Sequence, residues 1–175
     1  MRKIGIIILI SFAFYSCNNA KKKNTQNSTV DIVKRDIVVK KYNLLNFENV
    51  KKPILISVKE FFDGNNDIAS IAPNLIEKPK ISEYYKVFKE LLENEKVENI
   101  FVNIKDINIY ENGKLENSEW FYSDIIYIVG KIDKQEVIIK TKKLKPSEVD
   151  YDTENTIKKQ NKKYSEMNVI YVFWN

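Results

Sequence analysis

The sequence predicts an α+β fold: a single small domain, mainly an antiparallel sheet, with one or two amphipathic helices packed on it. Three observations predict it. Residues 81–92 carry apolar side chains at three- and four-residue spacing, short β-branched runs recur on either side of them, and an Asn112-Gly113 pair separates two of those runs.

Taken in chain order, residues 30–39 alternate imperfectly and leave an edge strand and a short helix both open. Residues 53–58 are short, apolar and β-branched, which reads as a strand. The helix is expected to start with Ser82 as N-cap. Ile81, Tyr84, Tyr85, Phe88, Leu91 and Leu92 form its apolar stripe, and Lys86, Lys89, Glu90 and Glu93 fill the opposite face, so it should lie across a sheet. Residues 99–104 read as a strand that continues through Ile107 and Ile109 after a bulge near Asp106. The Asn112-Gly113 turn then returns the chain through Leu115 to Trp120, Phe121 and Tyr122. Residues 125–129 have no polar break and read as a central, two-sided strand. Residues 133–145 suit an amphipathic helix stopped before Pro146, although Val137-Ile138-Ile139 alone would suit a strand. Residues 170–174 read as a last strand.

The N-terminus carries a different signal. Arg2-Lys3 precede an apolar run that is shorter than the ~20 residues a permanent membrane helix needs, which is the pattern of a cleaved signal peptide over residues 1–16. The segment Phe14-Tyr15-Ser16-Cys17 resembles the lipobox of bacterial lipoproteins, with Phe14 and Tyr15 standing where the family usually has an aliphatic and a small residue. The resemblance implies that Cys17 is lipidated and becomes the new N-terminus. Residues 18–29 contain no apolar side chain larger than Ala, so 17–30 are expected to form the lipidated cysteine and a flexible tether, with the α+β domain in 31–175. Lys21-Lys22-Lys23 sit where lipoproteins exported to the cell surface would carry an acidic cluster. The expected location is therefore the periplasm, on a lipid anchor in the cell membrane or outer membrane.

The composition narrows the chemistry. The chain has no histidine and its one cysteine is Cys17. Ser-His-Asp and Cys-His catalysis, zinc sites and disulfides are thereby excluded. Carboxylate, Lys and Tyr chemistry remain. The net charge of +5 becomes +3 once Arg2 and Lys3 are removed (27 basic minus 24 acidic residues), too weak a basic balance to point to nucleic acid. No metal or other cofactor is expected.

One segment stands apart. Glu60-Phe61-Phe62-Asp63-Gly64-Asn65-Asn66-Asp67, with Ser70, Ile71, Asn74 and Leu75 behind it, resembles an E-F-F-x-G-N-x-D-x-x-S-I-x-x-N-L block of a poorly characterised bacterial family. In that family a W-x-F/Y-S-D-x-x-Y stretch follows, matched here by Trp120, Tyr122, Ser123, Asp124 and Tyr127. Phe121-Tyr122 departs from the Pro-Phe pair that follows the tryptophan in many relatives, and Lys145 to Val149 also fits the pattern. The likeness covers roughly residues 54–150 and implies a single α+β domain, with no activity to carry over.

Physically, Gly64-Asn65 should turn the chain sharply after Phe62, and Asp63, Asp67 and Asn74 should bond local backbone amides. Asp63, Asn65 and Asp67 occupy the first, third and fifth places of a calcium loop, but Ile68 stands where that loop needs Gly and Asn74 where it needs Glu.

Two functions from different classes follow. The first is a non-catalytic lipoprotein domain that binds an envelope or secreted protein, an immunity-type inhibitor being one form. The second is a carboxylate-dependent hydrolase of the cell envelope using acids among Glu60, Asp63, Asp67 and Asp124.

Overall fold

The computed structural model describes residues 30–49, 51–110 and 113–175. The signal peptide, Cys17, the tether up to residue 29 and Asn112 of the turn lie outside the described residues.

The first open stretch is a helix, α1 (Ile32–Lys41), although it is rich in β-branched residues that form helices poorly. Asp31 caps it by accepting from the Lys34 N–H at 3.1 Å, and the burial of Arg35, Val38 and Val39 stabilises it beyond its own propensity. Strand β1 (Ile54–Ser57) runs directly into helix α2 (Val58–Phe62). A reciprocal capping box makes the switch: Glu60 N–H donates to Ser57 Oγ at 3.2 Å, and Ser57 N–H donates to the Glu60 carboxylate at 3.1 Å. Val58, read as the end of a strand, therefore opens a helix.

Helix α3 (Ile81–Leu92) buries Ile81, Tyr84, Phe88 and Leu91 of the expected stripe, but Val87 joins them, while Tyr85 is only half-buried and Leu92 is exposed. It begins earlier than expected, with Lys80 rather than Ser82 as N-cap, because Glu83 reaches back to accept the Lys80 N–H at 3.0 Å. Strands β2 (Val97–Ile104) and β3 (Ile125–Gly130) follow, then α4 (Lys134–Thr141), which decides the ambiguous 133–145 stretch in favour of a helix. Asp133 caps α4 by accepting from Gln135 N–H at 2.7 Å. The short strand β4 (Glu148–Tyr151), the five-residue α5 (Thr156–Gln160) and β5 (Asn168–Phe173) complete the chain.

All pairings are antiparallel in a five-stranded sheet of order β1-β2-β3-β5-β4. β3 is central and two-sided. Ile126 and Ile128 enter the main core with α1, α2, α3 and α4, while Tyr127 and Val129 enter a smaller cluster with Ile157, Tyr164 and Val169 on the other face. No helix among the described residues is long and apolar enough to cross a membrane.

The chain between β2 and β3 departs from the expected hairpin. Pairing extends past β2 only at Asp106 and Tyr122, where Lys105 N–H donates to Tyr122 O and Tyr122 N–H to Asp106 O, each at 2.8 Å. Beyond that bridge neither 107–110 nor 115–121 forms a strand. Ile107, Leu115, Trp120 and Phe121 are drawn into the main core instead, which a flat two-stranded ribbon could not allow. The tip still turns tightly: Gly113 has φ +73° and donates to Tyr110 O at 2.8 Å.

Candidate functional site

The two halves of the motif meet in space, and what they build is a clasp of backbone and side-chain hydrogen bonds. Gly64, at φ +90°, makes the turn after α2 alone, since Asn65 is not left-handed. Its carbonyl accepts the Asp31 N–H at 2.9 Å, and a Cβ on Gly64 would stand 2.8 Å from the Cβ of Asp31. The next turn is held by buried amide and hydroxyl groups. Asn65 accepts the Asp67 N–H at 3.0 Å and donates to Ser70 Oγ at 2.8 Å, and that hydroxyl donates to Asp67 O at 2.7 Å. Ser70 O then accepts from Ser123 N–H at 2.8 Å, and Ser123 O accepts from Ala72 N–H at 3.2 Å, making Ile71 and Ser123 a short parallel bridge.

Asp67 joins the halves directly. One carboxylate oxygen accepts from the Ala69 N–H at 2.9 Å and the other from the Trp120 N–H at 3.1 Å, across 53 positions of sequence. Ser123 Oγ donates to Ile125 O at 3.0 Å and starts β3. The aromatic members of the motif are core. Phe62 stacks among Tyr84, Tyr85 and Phe88, Phe61 meets Phe121 edge-on with centroids 5.7 Å apart, and Trp120 packs against Phe121. Phe61, Trp120 and Phe121 are fully buried, so none of them offers an aromatic binding platform.

Two expectations about local bonding are corrected. Among the described residues Asp63 bonds no backbone amide; as the C-cap of α2 it accepts from Lys34 Nζ of α1 at 2.8 Å. Asn74 is exposed, and the Leu75 N–H is met instead by Ala72 O at 3.0 Å.

The acids fall into separate environments. Burial pushes the Glu60 carboxyl up, but hydrogen bonds from Lys41, Ser57 and Tyr42 outweigh it and hold the group at about 2. Ser57 Oγ donates to it at 2.7 Å and Tyr42 OH at 3.0 Å. Asp124 behaves in the opposite way. Burial raises its pKa, its Oδ1 is buried without a hydrogen bond, and the lysine facing it, Lys105, stays 3.9 Å away. Among the described residues no three Asp, Glu, His or Cys side chains converge as a metal site.

A concavity lies elsewhere, in residues that sequence reasoning did not single out. A groove of about 570 Å³ runs between α1 and residues 113–117. Ile32, Val39, Leu45 and Leu115 supply its apolar surface, and Asn43, Asn46 and Asn117 supply amide groups. Arg35 fixes its walls. The buried guanidinium donates from Nη1 to Glu116 O at 2.6 Å and Glu119 O at 2.9 Å, and from Nε to Asp36 at 3.0 Å. A lone Arg within a charged helix gives no signal of this role, because its partners are backbone carbonyls more than eighty positions away.

The family profile described as the Uncharacterized protein YfbO family matches residues 33–171. The chain belongs to that family. The match takes in nearly all of α1, the groove and both halves of the clasp, and it agrees with the resemblance to a poorly characterised bacterial family. No curated protein and no solved structure matches the chain significantly.

Proposed function

We propose that this YfbO-family chain is a membrane-anchored extracytoplasmic lipoprotein whose domain binds a protein partner without catalysing a reaction. The observation that carries the binding half is how the motif acids are used. Glu60 is locked in the α2 capping box, Asp67 bridges two backbone amides, and Asp63 pairs with Lys34. A carboxylate hydrolase needs a second acid beside Asp124, whereas the charged group facing it is Lys105. The groove beside α1 supports binding, because it combines apolar surface with amide donors and acceptors on walls pinned by Arg35.

The anchor half rests on the sequence Phe14-Tyr15-Ser16-Cys17. Metabolic labelling with a palmitate analogue tests it: wild type should label and Cys17→Ala should not, with the mutant released to the periplasm or retained as precursor. Labelling of Cys17→Ala would refute the anchor. Affinity capture from envelope extract, with Leu45→Asp as the control that spoils the groove, tests the binding half. A protein retained by wild type and lost by Leu45→Asp is the expected result, and inhibition of a secreted toxin is one role such a partner would reveal. Hydrolysis of an envelope substrate, abolished by Asp124→Asn, would overturn the non-catalytic reading.

A further inference from the structure

We infer that the outward ridge of α1 is a membrane-facing surface that lies against the headgroup layer of an anionic bilayer. The inference rests on the anchor reading above for its geometry. Val33 and Ile37 are four residues apart on α1, so they share one side, and they are 72% and 61% exposed. Three lysines flank them. By helical position Lys40 lies on one side of the pair, Lys34 and Lys41 on the other. Leu45, 46% exposed just past the helix, borders the groove together with Lys40.

A bilayer suits this pattern better than a protein does. Protein interfaces concentrate aromatic and Arg side chains and are poor in Lys at their centres. A helix lying in a membrane interface pairs aliphatic side chains with lysines that extend their ammonium groups to the phosphates. Lys40 forms no ion pair among the described residues, and Lys34 and Lys41 remain about half exposed, at 48% and 57%, while bonded to Asp63 and Glu60. Asp36, the acid within α1, has its charge met by Arg35.

The position of the ridge supplies the second argument. Val30 follows Cys17 by thirteen residues, a stretch that reaches at most ~45 Å when extended. α1 is the first element after it, so a lipid on Cys17 tethers the domain to the bilayer through this helix. Lys21-Lys22-Lys23 lie within the same stretch and add to the attraction for anionic lipid.

The test uses the full chain carrying Ile37→Cys, purified from bacterial membranes, labelled with an environment-sensitive thiol dye and reconstituted in phosphatidylglycerol-containing vesicles. Lys159→Cys on α5, exposed on the opposite face of the sheet, is the reference. The expected result is a blue-shifted emission at position 37 only, reduced several-fold in phosphatidylcholine vesicles or with Lys40→Glu. Equal emission at 37 and 159 overturns the inference. So does a blue shift at 37 already present without vesicles, which would mean that protein covers the ridge. Dye stoichiometry separates the two readings, because a lipidated Cys17 takes no dye. Two dyes per Ile37→Cys chain refute the anchor, and the ridge is then tested by adding vesicles to the Cys17→Ser, Ile37→Cys chain, where unchanged emission overturns it.

Discussion

The clasp and the α1 groove lie side by side and use polar residues for opposite ends. In the clasp, Asn65, Asp67, Ser70 and Ser123 turn inward and spend their hydrogen bonds on one another or on backbone N–H and C=O groups. In the groove, Asn46 donates to Asn43 at 2.7 Å, yet both stay at the surface and line an open concavity with Asn117. The difference teaches that an unusual polar motif can mark the cost of irregular backbone rather than chemistry. A chain that leaves α2, turns at Gly64 and reaches Ser123 without regular secondary structure must satisfy each buried amide individually.

The largest way to break this contrast is Gly64→Val. It combines a left-handed φ with a Cβ 2.8 Å from Asp31 Cβ, so a loss of about 3 kcal/mol or more is expected, read as a fall in Tm. Gly113→Val, with φ +73° and no described residue within 4 Å of an added Cβ, should cost only about 1 kcal/mol. Equal losses would show that backbone strain alone, and not the packing of the clasp on α1, sets the effect.

Asp67→Ala follows. It removes two hydrogen bonds and strands the Trp120 amide, so about 2 kcal/mol is expected by chemical denaturation, with any partner capture falling only as the folded fraction falls. An Asp67→Ala protein as stable as wild type but unable to capture its partner would move the functional site into the clasp.

Glu60 and Asp124 sharpen the contrast through pH. The folded Glu60 carboxyl, at about 2, lies below the usual 4.5. Its ionisation therefore stabilises the fold above about pH 4.5, and the contribution is lost as pH falls toward 2. Glu60→Ala should lower stability at pH 7 by about 1 to 2 kcal/mol and flatten the acid limb in that window. Asp124 has a raised folded pKa, so its carboxylate costs stability at neutral pH and the cost is relieved as pH falls through the folded value. Asp124→Asn should leave Tm at pH 7 equal or slightly higher. A clear drop would mean that the weak contact with Lys105 matters more than burial.

The smallest effect belongs to the groove. Leu45→Ser should change stability by about 0.5 kcal/mol or less, since the side chain is 46% exposed, while weakening capture of the partner. Loss of stability without loss of capture would remove the groove from the functional reading.

Local periodicity was enough to read much of this fold from sequence. The alternation-free run of β3 announced a strand buried on both faces, the stripe of α3 announced a helix lying on a sheet, and Gly64 announced a turn. Each of these is set by neighbours within a few positions, where side-chain spacing and backbone freedom act directly. The short β4 and α5 escaped notice because four or five residues carry too little pattern. What only the tertiary structure decided was α1 as a helix, the withdrawal of residues 107–121 from a hairpin into the core, the Asp67 to Trp120 bridge and the groove pinned by Arg35. These depend on contacts between distant segments, whose burial and hydrogen-bond demands outweigh local preference and leave no periodic trace in the chain.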